Sequence, residues 1–224
     1  MTILGVNAEI IFWNYFTLLI GFFAQFLFSS RMLVQWINAE KNKRVTSDLI
    51  FWEISLIASF FLFIYGYLRH DFSIMLGQLI TYYIYIRNIQ LHNAWMKYQF
   101  LFRYFVYFFP FLAIGFSLWH GAFDVHKLFK NEKIPLWLLV WGSFGQVLFT
   151  MRFVYQWIYS ERIKKSELPL GFWLLSLLGS LMIFTYAIIR VDWVLLVGHG
   201  IGIFTYVRNI MILNQSKRKD FNVQ

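Results

Sequence analysis

Two arginines stand in stretches of this sequence that are otherwise almost wholly apolar. Arg31 lies in a hydrophobic run near 11–37, and Arg152 lies in another near 136–159. Placing a guanidinium in hydrocarbon costs a few kcal/mol, so the group is expected to face a bundle interior or a wet cavity. Its fork of N–H donors matches the oxygens of a phosphate group. These arginines therefore predict a phosphate-binding site between apolar helices.

Glutamines accompany both arginines on one helical face. At 100° per residue, an arc of about 120° holds the same four residue types twice. The two sets are Gln25, Phe28, Arg31 and Gln35, and Gln146, Phe149, Arg152 and Gln156. Amide side chains can hydrogen-bond a ligand that a guanidinium holds. The pattern favours a ligand-facing site.

Two structural alternatives explain the arginines without a ligand. Because Arg31 lies only about five residues inside Trp36, roughly 8 Å along the helix, its side chain could extend to the lipid headgroups. It could instead form an ion pair within the membrane. The candidate carboxylates for such a pair are Glu40, Glu161 and Glu53.

Two further cations lie near the ends of later helices. The motif Tyr85-x-Arg87-Asn88 ends one predicted helix, and Tyr206-x-Arg208-Asn209 ends another. A cation near a helix C-terminus is favourable against the helix dipole, which is the structural explanation. The functional interpretation is that the arginines and asparagines bind a phosphate or gate its access.

The remaining candidates lie on neighbouring helices. They are Trp52, Ser55 and Ser59, their counterparts Trp173, Ser176 and Ser180, the unequal pair Gln78 and His199, and Glu53. The serines favour close helix packing, with a hydroxyl-lined passage as the alternative. A histidine such as His199 is more often an interhelical hydrogen bonder than a proton relay. Glu53 is expected to pair with Arg31 or Lys43, with proton coupling as the alternative.

These residues recur because the chain contains an internal duplication. The stretch GFFAQFLFSSRMLVQW, which ends at Trp36, returns as GSFGQVLFTMRFVYQW, which ends at Trp157. One constant offset relates Arg31 to Arg152 and continues without a gap to Asn88 and Asn209. About 70 residues are repeated, with roughly a third of the positions identical. Two equivalent units are therefore expected.

Composition places the chain in a membrane. Of its 224 residues, 59% are hydrophobic and 22% are aromatic, so a water-soluble fold would expose too much apolar surface. The absence of cysteine excludes disulfides and thiolate metal sites. The net charge of +9 predicts an uneven division of basic residues between the two membrane faces, rather than nucleic-acid binding.

Seven apolar runs predict seven membrane-spanning helices. They lie near 11–37, 49–68, 72–91, 98–119, 136–159, 170–190 and 193–213. The predicted fold is an all-α integral membrane protein of the form three plus one plus three. Its parts are a first repeat in 1–92, a linker helix and loops in 93–135, a second repeat in 136–213 and a basic tail in 214–224. Because each repeat has three helices, a second repeat joined directly to the first would be inverted in the membrane. The additional linker helix restores a parallel orientation of the two repeats.

The basic residues predict the orientation. One face carries Lys41, Lys43, Arg44, Arg87, Lys97, Arg103, Arg162, Lys164, Lys165, Arg208, Lys217, Arg218 and Lys219, and the other carries Arg69, Lys127, Lys130, Lys133 and Arg190. The positive-inside rule makes the first face cytoplasmic and places the N-terminus outside. Tryptophans form the expected interfacial belts: Trp36, Trp52, Trp95, Trp157 and Trp173 inside, and Trp13, Trp119, Trp137, Trp141 and Trp193 outside. The first residues, MTILGVNAEIIFW, lack the features of a signal peptide and are expected to form a short tail.

The second repeat carries two motifs: an R-F-x-x-Q-W-x-x-S-E pattern from Arg152 to Glu161, and a P-x-x-F-W step that begins at Pro169. These motifs resemble the lipid A biosynthesis N-terminal domain. The resemblance covers both repeats, about 15–92 and 136–213, and is strongest in the second. This three-helix unit is found ahead of or near lipid-A-disaccharide synthase and lipid-carrier glycosyltransferases in Gram-negative bacteria. The first repeat departs from the pattern at Met32, Ala39 and Asp48. Asp48 replaces the proline and is expected to loosen the turn into the second helix.

The unit is also similar to the PQ-loop superfamily of transporters, including the SWEET type. Duplicated members of that superfamily join two units by a linker helix and hold substrate between them. That resemblance implies a substrate site between the two repeats of this chain.

The leading hypothesis is a bacterial inner-membrane protein that binds and translocates an anionic, phosphate-bearing lipid or lipid-linked sugar. The alternatives are a small-solute transporter and a non-catalytic membrane subunit of a glycosyltransferase system. The sequence lacks a phosphate-cradling glycine loop, a nucleotide fingerprint, metal-ligand spacing and a Ser-His-Asp set, so we expect no catalysis by this chain alone and no cofactor. Expected partners are the lipid itself, membrane lipids and a glycosyltransferase.

Overall fold

The computed structural model describes the backbone of residues 3–68, 72–119, 135–191 and 193–222. Within those ranges, it describes the side chains other than those of residues 3–12, 14, 72–74, 76, 114, 116–119, 139, 193–195, 197 and 217–222. Some residues that predict the orientation lie outside the described residues or side chains: Arg69, Trp119, Lys127, Lys130, Lys133, Trp193, Lys217, Arg218 and Lys219.

The described residues form seven α-helices and one short 3-10 helix. The α-helices are α1 (Ile3–Asn42), α2 (Leu49–Leu68), α3 (Phe72–Leu91), α4 (Phe100–Trp119), α5 (Leu136–Ile163), α6 (Leu170–Arg190) and α7 (Trp193–Asn222), and the 3-10 helix is Trp95–Lys97. Each predicted apolar run forms a helix, which confirms the all-α class. The expected N-terminal tail is wrong, because α1 begins at Ile3.

Four of these helices contain segments long and apolar enough to cross a membrane. The segments are Tyr15–Asn42, Leu49–Leu68, Leu136–Ile163 and Leu170–Arg190. Helix α4 has a shorter apolar stretch, Phe100–Ala113. Membrane crossing by α3, α4 and α7 therefore stays a prediction, as do the three-one-three arrangement in the bilayer and its orientation.

The two repeats share details of backbone geometry. The turns after α1 and α5 each hold a lysine in the left-handed region, with φ of 52° at Lys43 and 54° at Lys164. A Cβ built on Gly21 would lie 2.7 Å from the Tyr65 ring, and one built on Gly142 would lie 2.7 Å from the Tyr186 ring. Glycine therefore permits the same close approach of the first two helices in both repeats.

The proline of the second repeat is not needed for the turn that it occupies. The Asp48 carbonyl accepts a hydrogen bond from the Phe51 N–H at 3.0 Å, and the Pro169 carbonyl accepts one from Phe172 at 3.0 Å. The Asp48 carboxylate also accepts a hydrogen bond from the Asn38 side chain at 2.6 Å. The prediction that Asp48 loosens this turn is wrong, because these hydrogen bonds fix it.

Within each repeat, the middle helix packs against the other two: α1–α2–α3 and α5–α6–α7. The repeats contact each other through α3 with α5 and through α1 with α7. Helix α4 packs on the first repeat, where the Phe109 ring lies 4.4 Å from the Phe60 ring and the Tyr83 hydroxyl donates to the Tyr107 carbonyl at 2.8 Å. The interface between the repeats is the region in which the candidate arginines lie.

Candidate functional site

Arg31 is enclosed by side chains of its own repeat. It is only 4% exposed. Its Nη1 donates to Ser55 Oγ at 2.5 Å. Its Cζ lies 4.6 Å from the ring centroid of Phe28, 5.1 Å from that of Phe51 and 5.5 Å from that of Tyr85. We name this set the first cage. Aromatic faces stabilise a desolvated cation without neutralising its charge.

Arg152 occupies an equivalent second cage. It is also 4% exposed. Its Nη1 donates to Ser176 Oγ at 3.4 Å and to the Tyr206 hydroxyl at 3.1 Å. Its Cζ lies 3.5 Å from the ring centroid of Phe149 and 5.5 Å from that of Phe172. Every residue of the second cage is the repeat counterpart of one in the first, so the duplication builds the same cation site twice.

One aromatic ring joins the two cages. The Phe153 centroid lies 5.2 Å from Arg31 Cζ and 4.8 Å from Arg152 Cζ, so the two guanidiniums are at most about 10 Å apart. Like charges at that separation repel by about 2 kcal/mol at an effective dielectric constant of about 20. An anion between them would convert this repulsion into attraction.

Each cage contains hydrogen-bond donors that the described residues leave without a partner. These buried donors are the Nε atoms of Arg31 and Arg152 and the indole Nε1 atoms of Trp52 and Trp173. A buried donor without an acceptor costs about 1–3 kcal/mol, and a charged one costs more. The same pair of atoms recurs in each repeat, which is the arrangement expected of donors held ready for an acceptor.

The tryptophans belong to the cages. The Trp52 ring lies 4.8 Å from Phe51 and 6.1 Å from Tyr85, and both of those rings also face Arg31. In the second repeat, the Trp173 ring lies 5.0 Å from Phe172 and 6.1 Å from Tyr206. Both indoles are fully buried. Each buried indole therefore lies against two of the rings that surround the guanidinium of its own repeat.

The carboxylates considered as partners of Arg31 are bound elsewhere. Glu40 pairs with Arg208, and Glu161 pairs with Arg87. Glu53 accepts a hydrogen bond from the Tyr98 hydroxyl, so its expected pairing with Arg31 or Lys43 is wrong. Among the residues that the structure describes, neither caged arginine has an ion-pair partner. The alternative of a side chain extending to the headgroups also disagrees with their burial inside the bundle.

Polar contacts tie α3 to α5, and we name this contact the α3–α5 seam. Arg87 donates two hydrogen bonds to the Glu161 carboxylate, each at 2.8 Å. The amides of Asn88 and Gln156 hydrogen-bond each other, at 2.8 and 3.1 Å. Ser166 Oγ donates to Asn88 Oδ1 at 2.7 Å.

Hydroxyls extend the network of the α3–α5 seam. Gln156 Nε2 also lies 2.8 Å from Ser160 Oγ, to which it donates, and Ser47 Oγ donates to the Ser166 carbonyl at 2.7 Å. The loop after α1 is therefore joined to the loop after α5. Burial lowers the pKa of His92, beside this loop, although a hydrogen bond with the Ser47 backbone opposes that shift.

The α1–α7 seam repeats the first contacts without the extension. Arg208 donates two hydrogen bonds to the Glu40 carboxylate. The amides of Gln35 and Asn209 hydrogen-bond each other, at 2.9 and 3.2 Å. Ala39 stands where the second repeat has Ser160. The predicted gate residues Arg87 and Arg208 thus lie on the two seams, each bound to a glutamate of the other repeat.

The other predicted residues lie outside the cages or at their margin. Ser59 donates to Gln78 Oε1 at 2.9 Å, and Ser180 contacts His199 Nδ1 at 3.0 Å, so the unequal pair makes equivalent interhelical hydrogen bonds. Two glutamines, Gln25 and Gln146, are exposed. A Cβ added at Gly77 or Gly198 would meet nothing within 4 Å, which indicates open space beside these positions.

Trp52 and Trp173 were predicted site residues, and Phe28 and Phe149 lay on the predicted ligand-facing arc, but the other aromatic members of the cages were not predicted. Sequence signals for them exist, because each aromatic residue recurs at the same offset as the arginines. The recurring pairs are Phe28 with Phe149, Phe51 with Phe172, and Tyr85 with Tyr206. Phe153 carries no such signal, because its counterpart is Met32.

Fold and site together define a duplicated helical membrane protein with two buried, unneutralised arginines. The sequence model of the Lipid A Biosynthesis N-terminal domain matches residues 20–90 and again residues 141–211. The chain belongs to this family and carries two copies of its domain.

Similar curated proteins are named lipid-A-disaccharide synthase. The chain is 28% identical to that of Chlamydia pneumoniae over 206 residues, which cover 89% of this chain and 34% of the relative. It is 26% identical to that of Chlamydia trachomatis serovar D over 214 residues, which cover 91% of this chain and 35% of the relative. The chain spans about a third of the length of these relatives. No solved structure gives a significant match.

Proposed function

We propose that this protein binds and translocates an anionic, phosphate-bearing lipid or lipid-linked sugar in lipid A or envelope glycolipid biosynthesis. The observation that carries the proposal is the pair of equivalent cages, each with a buried guanidinium that has no carboxylate partner among the described residues. Phosphate supplies both the negative charge and the acceptor oxygens that such a site needs. Family membership favours a lipid of the lipid A pathway as its source.

The proposed arrangement is three helices, a linker helix and three helices, with the N-terminus outside a bacterial inner membrane. The order of helix contacts supports it, because each repeat forms one packed triplet. The likeness to PQ-loop and SWEET-type transporters would follow from this arrangement. In such a bundle, alternating access would come from rigid-body rocking of one repeat against the other.

The seams supply the moving contacts of this mechanism. Their ion pairs and amide pairs lie toward the C-terminal ends of α1 and α5, the predicted cytoplasmic end. Open space beside Gly77 and Gly198, in the opposite halves of α3 and α7, favours access from the other side. Parting the seams would expose the caged arginines to the cytoplasmic leaflet. Gln25, Gln146, Gln78 and His199 would contact the headgroup along the way, and Glu53 stays a candidate for coupling.

Mass spectrometry of co-purified lipids tests the proposal. Wild-type protein, the Arg31→Ala/Arg152→Ala variant and an Arg162→Ala control would be purified in dodecyl maltoside. Arg162 is an exposed cation on the same helix as Arg152, so the control removes charge without touching a cage. We expect a phosphorylated glycolipid or polyprenyl phosphate with the wild type and the control, and its loss from the double variant.

Equal retention of that lipid by all three proteins, with the double variant still folded, would contradict the proposal. Binding of a lipid-free phosphorylated sugar with indifference to acyl or prenyl chains would identify a small-solute transporter instead. Transport of the retained lipid is then measured in proteoliposomes.

A second candidate function is a non-catalytic membrane part of a lipid-A-disaccharide-synthase-like glycosyltransferase system. The specific observation in its favour is that the similar proteins carry that name and match this chain over about a third of their length. This function predicts co-purification of a glycosyltransferase and no lipid translocation by the isolated chain. Translocation by the purified chain alone would exclude it as the whole function.

A further inference from the structure

The two cages form two equivalent half-sites. Each has a guanidinium that is 4% exposed, an orphan guanidinium N–H and an orphan indole N–H. A single phosphate can fill one half-site or be shared between them. A ligand with two linked anionic groups can fill both at once.

The distance between the guanidiniums limits how such groups are linked. Because Arg31 Cζ and Arg152 Cζ lie 5.2 and 4.8 Å from the same Phe153 centroid, a ligand between them has no more than about 10 Å to span. Its two phosphorus atoms must then lie closer together than the guanidiniums do. Phosphates at opposite ends of a disaccharide exceed this span, whereas two phosphates that share one bridging oxygen fit well within it.

Charge is compatible with this ligand. Two arginines with no carboxylate partner in the described part of the chain supply two positive charges, and two linked phosphates supply at least two negative ones. The nearby glutamates do not alter this count, because Glu40 and Glu161 are neutralised by Arg208 and Arg87. The indole N–H groups add one neutral donor to each half-site.

We propose that the two cages together bind the diphosphate of a lipid, with one phosphate on Arg31 and Trp52 and the other on Arg152 and Trp173. This inference rests on the proposed function and narrows its ligand from a phosphate-bearing lipid to a lipid diphosphate. Phe153 lies against both guanidiniums and forms one wall of the joint site. Both arginines are nearly enclosed, so the ligand enters when a seam parts.

The test compares probes that differ only in their phosphates. Full-length protein in dodecyl maltoside is titrated with farnesyl diphosphate, farnesyl monophosphate, farnesol and inorganic pyrophosphate. We expect farnesyl diphosphate to bind at least about tenfold more tightly than each of the others, since it alone engages both charged half-sites and retains its chain. The indole N–H resonances of Trp52 and Trp173, assigned through Trp→Phe variants, should both shift.

Single variants test the two-sided contact. Arg31→Gln and Arg152→Gln should weaken farnesyl diphosphate binding by similar factors and abolish its preference over the monophosphate. Arg31→Lys and Arg152→Lys keep the charge and so guard against a folding defect, and they should lose part of the preference. Trp52→Phe and Trp173→Phe remove one neutral donor each and should weaken binding by a few-fold.

The outcomes separate the inference from the proposed function. Equal binding of monophosphate and diphosphate, with both dependent on the arginines, overturns the diphosphate inference and leaves an anionic-lipid site. If pyrophosphate binds as tightly as farnesyl diphosphate, the ligand need not be a lipid, and that outcome overturns the lipid requirement in both the inference and the proposed function. Binding of every probe no better than farnesol overturns both.

Discussion

The two seams that join the repeats differ although the cages between them are equal. Both seams have an arginine–glutamate pair and a reciprocal pair of amides. The α3–α5 seam adds Ser160 and Ser166, and the equivalent positions on the other side are Ala39 and Val45. Helix α4 also packs beside α3, where it contacts Tyr83. The counterpart of Tyr83 in the second repeat is Phe204, which packs on Trp36 of α1.

This difference indicates which side of the bundle parts more readily. The serines connect the loop after α1 to the loop after α5 and to Asn88, so opening the α3–α5 seam breaks several coupled hydrogen bonds. Among the described side chains, opening the α1–α7 seam breaks one ion pair, one amide pair and the ring contact between Trp36 and Phe204. In the proposed mechanism, a lipid that enters sideways would therefore pass between α1 and α7, with α3 and α5 as the hinge side.

Removing the asparagine of each seam should produce the largest effect. Asn88 Oδ1 accepts hydrogen bonds from both Gln156 and Ser166, whereas Asn209 Oδ1 accepts one from Gln35. We expect Asn88→Ala to lower the free energy of unfolding by about 3 kcal/mol and Asn209→Ala to lower it by about 2 kcal/mol, because more buried donors lose their partner in the first case. Reversible denaturation in mixed micelles measures both. Equal losses would contradict the inequality of the seams.

Cysteine labelling should resolve the seams next, because the chain has no cysteine of its own. Ala39 and Ser160 are equivalent positions, and both are 0% exposed. We expect Ala39→Cys to react with a maleimide about tenfold faster than Ser160→Cys, since a difference of about 1.4 kcal/mol in opening free energy corresponds to that ratio. Ser160→Cys also weakens its own seam, so the comparison is biased against the prediction. Faster labelling at Ser160→Cys would show that the α3–α5 seam opens more readily, which would contradict the prediction.

Exchanging the residues at the same two positions should give the smallest effect. Ala39→Ser places a hydroxyl beside Gln35 as Ser160 lies beside Gln156, and should raise the free energy of unfolding by up to about 1 kcal/mol. Ser160→Ala should lower it by about 1 kcal/mol. Reversible denaturation in mixed micelles measures both changes. An unchanged free energy of unfolding in Ala39→Ser and Ser160→Ala would show that these hydroxyls do not account for the difference between the seams.

The duplication made much of this molecule predictable. The apolar runs predict seven helices, and the constant offset predicts two like units and the placement of Arg31 and Arg152 on equivalent faces. It also predicts that whatever encloses one arginine encloses the other, as the cages do. Periodicity fixes the face on which a side chain lies, and the structure agrees for Arg31, Gln35, Arg152 and Gln156, which are all buried.

The contacts between residues of different repeats could not be predicted from the sequence. Arg87 and Arg208 looked like free cations at helix ends because nothing in a single helix shows that Glu161 and Glu40 lie opposite them. Asn88 and Gln156 looked like ligand donors for the same reason, since a reciprocal amide bond depends on how two repeats dock. Glu53 has no acidic counterpart, because Leu174 occupies the equivalent position, and its partner Tyr98 lies in the linker segment, outside the repeat.

The most direct test of the account measures the distance between phosphorus and the caged arginines. Wild-type protein labelled with ¹⁵N-arginine is purified in dodecyl maltoside, which contains no phosphorus, with its co-purified lipid retained, and is examined by ³¹P–¹⁵N dipolar dephasing in solid-state NMR. The account predicts Nε signals dephased by ³¹P in the wild type that vanish in the Arg31→Lys/Arg152→Lys variant, while surface arginines look alike in both. Wild-type and variant spectra with the same dephasing would place phosphate away from the cages and contradict the account.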